Sequence, residues 1–135
     1  METLLLSLLG WLYQHTDYDD MVVLPNITVT EVANLCQNYG VDSLADCQAM
    51  QLKGFYNEQR TIFLHADFRQ TNLQDQSWLV HELVHYLQWK QGANQQCWGK
   101  LEAEAYQVQD AWLQAHGINA QTDPFKLIML EAACD

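Results

Sequence analysis

Trp78-Leu79-Val80-His81-Glu82-Leu83-Val84-His85-Tyr86-Leu87-Gln88 is an apolar helical repeat interrupted three times by side chains that bind protons or metals. Val80, Leu83, Val84 and Leu87 recur at i, i+3, i+4 and i+7, the spacing of one buried stripe on a helix. At about 100° per residue, His81 and His85 stand one above the other outside that stripe. Side chains on successive turns are about 5–6 Å apart, so the two imidazoles can turn a nitrogen toward one zinc ion. Glu82 is rotated off their line and reads as the general base that takes a proton from water at the metal. The plainer alternative is a core helix with two histidines and a glutamate satisfied on its edge.

Working outward, Thr71-x-x-Gln74 reads as the cap that starts this helix, and Gly92 as its stop. Upstream, Met50 to Tyr56 and Thr61 to His65 are β-like runs joined by the polar turn Asn57-Glu58-Gln59-Arg60, which predicts a hairpin. Further back, Met21 to Leu24 predicts a short strand stopped by Pro25, and Thr28 with Glu31 predicts a capping box for a helix through Val32, Leu35, Cys36 and Tyr39 to Gly40. Downstream, a helix is expected from about Gly99 to Gly117 with Leu101, Ala105, Val108, Trp112 and Ala115 on its apolar side. Asp123-Pro124 then supplies an N-cap and first-turn proline for a last helix. The order α, β, α, β, β, α, α, α implies an α+β domain in which a short three-stranded sheet with a hairpin precedes the histidine helix.

A chain of 135 residues, 49% of them hydrophobic, suffices for one core, and no repeat or Gly/Pro/Ser linker marks a second domain, so residues 1–135 are read as one unit. A formal charge of −11 with only six Lys and Arg argues against nucleic acid or an anionic membrane as partner. A neutral or basic peptide or protein is easier to accommodate. The opening METLLLSLLGWLYQ has an apolar run of signal-peptide length. Glu2 stands where a basic leader is usual, no small-x-small cleavage site follows, and the run is too short to cross a bilayer, so it reads as an amphipathic first helix. Cys36, Cys47, Cys97 and Cys134 form no C-x-x-C pair, and if all are oxidised they allow three pairings. Their even number leans toward disulfides and an extracytoplasmic (periplasmic or secreted) setting.

A catalytic zinc needs a third protein ligand and an open position. The helix after Gly92 offers Glu102 and Glu104, which point about 200° apart, so only one can face the histidines, and spacing alone does not choose. His65, at the end of a strand, is a candidate second donor near the site or an exposed histidine.

His81-Glu82-Leu83-Val84-His85 followed by the helical Glu102-Ala103-Glu104-Ala105 resembles the gluzincin metallopeptidases, in particular small members with a short sheet before the histidine helix. The order of elements, with Gly54-Phe55-Tyr56 leading into Thr61-Ile62-Phe63-Leu64, is similar over roughly residues 20–115. The resemblance implies a zincin-like fold, Zn²⁺ held by His81, His85 and Glu102, Glu82 as base, and hydrolysis of a peptide bond in a substrate laid along a sheet edge, either Thr61 to His65 or Met50 to Tyr56. One departure stands out. Gluzincins often carry an acidic or amide residue four positions after the ligand glutamate, and here Tyr106 stands there, a phenol able to hydrogen-bond a ligand or steady an oxyanion. The departure keeps open a second reading, a metal-binding regulatory or interaction module with little hydrolysis.

Overall fold

In the computed structural model, residues 1–18, 23–31, 54–57, 61–92 and 96–134 are described. They form α1 (Glu2–His15), β1 (Asn26–Thr30), β2 (Gly54–Asn57), β3 (Thr61–His65), α2 (Leu73–Lys90), α3 (Trp98–Ala115) and α4 (Pro124–Ala132). The class is α+β, with the helices segregated from a small mixed sheet of order β1-β3-β2.

β3 is the middle strand. It runs parallel to β1, Asn26 opposite Thr61 and Thr30 opposite His65, and antiparallel to β2, Gly54 opposite Leu64 and Asn57 opposite Thr61. Its side chains alternate as period two requires: Ile62 and Leu64 are fully buried, while Thr61, Phe63 and His65 are half-covered. Because both its edges are paired, Thr61 to His65 offers no edge to a substrate strand, contrary to one of the two expected placements. Among the described residues the outer strands are β1 and β2.

Two local expectations fail in the first third of the chain. Val23 and Leu24 are not in a strand, and pairing begins after Pro25, which has no N–H to give a ladder. Thr28, expected to cap a helix, instead lies inside β1 opposite Phe63. Ile27, Thr28, Val29 and Thr30 are a run of β-branched residues that fit a pleated strand, and pairing with β3 overrides the capping signal. The helix expected through Val32 and Tyr39, the arm Met50 to Lys53, the turn residues 58–60, and Cys36 and Cys47 lie outside the described residues.

α2 is the central element. It packs against α1, α3 and the sheet, and every residue from Leu79 to Gln88 is buried. The expected stripe is therefore only one of its buried faces. α2 starts one residue later than the Thr71 cap implies: Asn72 Oδ1 accepts from the Asp75 N–H at 2.9 Å, and the Asp75 carboxylate accepts from the Arg69 N–H at 2.9 Å. Asparagine is the stronger cap, which explains the shift. The helix ends before Gly92, whose φ of +79° is a left-handed conformation natural to glycine.

The leucines of α1, Leu5, Leu8, Leu9 and Leu12, join the same core as Ile62, Leu64, Leu83 and Trp112. α3 buries Leu101, Ala105 and Trp112 as expected from its pattern, but Leu113 takes the place of Ala115, which is exposed. α4 is capped as read from sequence, Asp123 Oδ1 accepting from the Phe125 N–H at 2.9 Å, yet buries no side chain. Besides a hydrogen bond from Lys126 Nζ to the Tyr106 hydroxyl, two features hold it to α3. A Cβ at Gly99 would collide with the Leu130 carbonyl, so only glycine allows this approach. The Cys97–Cys134 disulfide, with Cα atoms 5.7 Å apart, closes a separation of 37 residues, worth about 4 kcal/mol in the loop-entropy picture. No helix among the described residues is long and apolar enough to cross a membrane.

Candidate metal centre

α2 presents His81 and His85 on successive turns with ring centroids 5.0 Å apart and planes at 77°. α3 brings Glu102 over both. Glu102 Oε1 lies 2.6 Å from His81 Nε2 and 3.1 Å from His85 Nε2. One donor atom from each of the three falls within 4.8 Å of the others, a cluster that can hold a metal ion. His81 and His85 are 4% and 6% exposed, whereas the Glu102 side chain is 19% exposed.

Glu104 points away from the histidines. Its Oε1 accepts from Gln88 Nε2 at 2.8 Å and from the Tyr18 hydroxyl. Of the two glutamates between which spacing did not choose, α3 turns Glu102 and not Glu104 toward the imidazoles.

The rear nitrogens of both histidines are held by glutamines. Gln88 spends both amide hydrogens, on the Leu101 carbonyl at 2.9 Å and on Glu104, so its oxygen is the atom 2.8 Å from His85 Nδ1. The Ser77 hydroxyl donates to the Gln74 carbonyl at 2.6 Å and therefore accepts from Gln109 Nε2 at 3.1 Å, which turns the Gln109 oxygen to His81 Nδ1 at 3.0 Å. A carbonyl oxygen only accepts, so each Nδ1 carries its proton and each neutral imidazole presents a bare Nε2 lone pair. Two such lone pairs facing a carboxylate oxygen repel unless positive charge lies among them. Protons can supply it, and so can a metal ion, for which neutral imidazole Nε2 and carboxylate oxygen are ordinary ligands. The donor set thus fits a divalent cation.

Titration behaviour follows from the crowding. Burial alone would raise the Glu102 carboxyl, but hydrogen bonds and charge from the two imidazoles outweigh it and hold the group down to about 2. Burial works to lower His85, and the Glu102 and Glu82 carboxylates overcome it and raise it. Glu82 is pushed above its ordinary value, chiefly by burial, with the histidines opposing and Glu102 adding. It is 7% exposed, and no hydrogen bond reaches its carboxylate among the described residues. Buried polar groups are nearly always paired, so an unpaired carboxylate beside this cluster needs an explanation.

Other residues singled out from sequence are placed differently. The Tyr106 ring meets His81 edge-on at 4.6 Å, but its hydroxyl accepts from Lys126 Nζ at 2.9 Å rather than binding a ligand residue. His65 Nδ1 accepts from the Asp67 N–H at 3.1 Å, with no contact to the cluster. Trp98 stacks on His85 at 4.8 Å and 22° and remains 58% exposed, a wall of the site. Beside His81, a cavity of about 330 Å³ is lined by Trp78, Tyr106, Gln109, Asp110, Leu113 and Lys126, among others. Sequence reading missed Gln88 and Gln109 because it looked for charged partners. The signal was present: Gln88 lies three residues after His85 on the same side of α2, and Gln109 lies two turns after Glu102, on the side of α3 that meets His81.

No curated protein and no solved structure matches this chain. A family model does match, over residues 1–135, and the chain accordingly belongs to DUF6647, a domain family of unknown function.

Proposed function

We propose that the protein is a zinc-dependent metallopeptidase of gluzincin type, hydrolysing peptide bonds with Glu82 as general base. The observation that carries the reading is the convergence of His81 Nε2, His85 Nε2 and Glu102 Oε1 beside the buried, unpaired carboxylate of Glu82. His81, His85 and Glu102 would hold the ion, and the Nδ1 hydrogen bonds to Gln109 and Gln88 fix both imidazoles in the tautomer this requires. When bound, zinc supplies Lewis acidity, polarising a carbonyl and bringing the pKa of water toward neutrality. Glu82 takes a proton from the attacking water, keeps it on its carboxyl in a site that burial makes hospitable to the neutral form, and delivers it to the leaving nitrogen. The exposed Trp98 face and the cavity beside His81 offer the substrate an apolar wall and a place for a side chain. β2, an outer strand among the described residues, is the edge on which a peptide can add.

A second reading, a metal-binding regulatory or interaction module with little hydrolysis, draws on one observation. Tyr106 and His65, the side chains expected to steady an oxyanion, are engaged by Lys126 and Asp67. The Glu82→Gln variant separates the two. Wild type and Glu82→Gln are expected to retain one zinc per chain by elemental analysis, Glu102→Ala to lose it, and cleavage of a peptide library to vanish in Glu82→Gln. Wild-type protein that takes up no metal refutes the enzyme reading, and zinc-loaded wild type that cleaves nothing favours the module.

A further inference from the structure

The two histidines are backed unequally. Behind His81 the chain of hydrogen bonds is neutral and local: Gln109, then Ser77, then the Gln74 backbone carbonyl. Behind His85 it ends on a carboxylate and then leaves the helix pair altogether: Gln88 donates to Glu104, and Glu104 accepts from the Tyr18 hydroxyl, 86 residues away in sequence and just beyond the end of α1. Burial, and then Glu104 itself, push the Tyr18 hydroxyl well above its ordinary value, so it stays a donor across the working pH range.

From this asymmetry we infer that Tyr18 and Glu104 form a positioning relay that acts through Gln88 on His85, so that the affinity of the centre for zinc depends on the segment after α1 being docked. This rests on the zinc reading above and extends it to a regulatory contact. The physical steps are short. A carboxylate accepting from the Gln88 amide polarises it and makes its oxygen a better acceptor for His85 Nδ1–H. A stronger acceptor at Nδ1 raises the basicity of Nε2 and holds the ring in line with Glu102. Tyr18 fixes the Glu104 carboxylate on the Gln88 side, since a second donor leaves it one orientation that serves both. Glu104 therefore bears on the metal without touching it, and the two glutamates of Leu101-Glu102-Ala103-Glu104 have separate tasks on opposite sides of α3.

The test uses the full chain, with Tyr18→Phe, Glu104→Gln and Glu104→Leu beside wild type. Two quantities are read: the zinc dissociation constant by chelator competition, and the Nδ1–H proton resonances of His81 and His85 in metal-free and zinc-loaded protein. Outer partners of metal-bound histidines change affinity by roughly 10–100-fold. Tyr18→Phe is expected near the lower end, about tenfold weaker, and Glu104→Leu toward the upper end, with Glu104→Gln between because it keeps an acceptor for Gln88. In each, the His85 resonance moves and that of His81 stays. Tyr18→Phe keeps the ring, so it tests the relay even if the Glu104 variants fail to fold. An unmoved His85 resonance with unchanged zinc affinity overturns the relay and leaves the zinc centre standing, and equal movement of both histidines overturns it in favour of general loosening. Wild type that binds no zinc overturns the functional reading first, and is recognised without any variant.

Discussion

α2 and α4 are both well-capped helices, and they end in opposite situations. α2 is buried from Leu79 to Gln88, polar residues included, while α4 buries nothing and presents Phe125, Ile128 and Met129 to solvent. The difference shows that capping decides where a helix starts, whereas tertiary position decides what it is worth. In α2 every histidine, glutamine and serine facing inward has a partner, and Glu82 alone is left over. α4 relies on a disulfide and on the close approach at Gly99.

The sharpest way to break this contrast is to cut the core side of α2. Leu83 is fully buried, and Leu83→Ala should cost about 3–4 kcal/mol in denaturant unfolding, as large-to-small core changes do. A cost below about 1 kcal/mol would contradict the central placement of the helix.

An intermediate effect concerns pH, because protons and a metal ion at His81, His85 and Glu102 would compete for the same donor atoms. In metal-free protein Glu102 is held down to about 2, so its contribution is present above its ordinary 4.5 and is lost as pH falls from there. His85 is raised above 6.5, so its contribution is complete below 6.5 and is lost as pH rises through the folded value. Glu82, also raised, loses stability in the same direction as pH climbs above 4.5. Metal-free protein should therefore be most stable on the acid side of neutrality, and the increase in melting temperature on adding zinc should grow from pH 5 to pH 8. A zinc increment that shrinks over that range would count against the three-ligand centre. Hydrogen exchange sharpens the comparison by reading α2 and α4 separately, with zinc expected to protect α2 and leave α4 unchanged.

The smallest effect lies on α4. Ile128→Ser, at an exposed position, should change stability by no more than about 0.5 kcal/mol by thermal unfolding. A larger loss would mean that the apolar face of α4 is covered.

What sequence conveyed follows the same division. His81, Glu82 and His85 were legible because helical spacing fixes their relation without knowledge of any other element, and β3 and the α4 cap were legible for similarly local reasons. Glu102 against Glu104 was not, since the two differ only in which side of α3 meets α2, a fact of packing. Thr28 failed as a helix cap because pairing with β3, a distant partner, outweighed a signal carried by two side chains. Gln88 and Gln109 went unread because amides advertise nothing in composition, and their role depends on which end of each amide is already spoken for.

Solvent meets the cluster at the first turns of α3. Among the described residues, the imidazoles are nearly covered, whereas the Glu102 carboxylate and the Trp98 ring lying flat on His85 meet bulk solvent. This exposed face is made of one anionic and one aromatic side chain from the first turns of α3, tied through Cys97 to Cys134 just past the end of α4. Glu102 belongs both to this face and to the His81–His85 cluster, so a change at that one side chain alters the opening and the buried group behind it together.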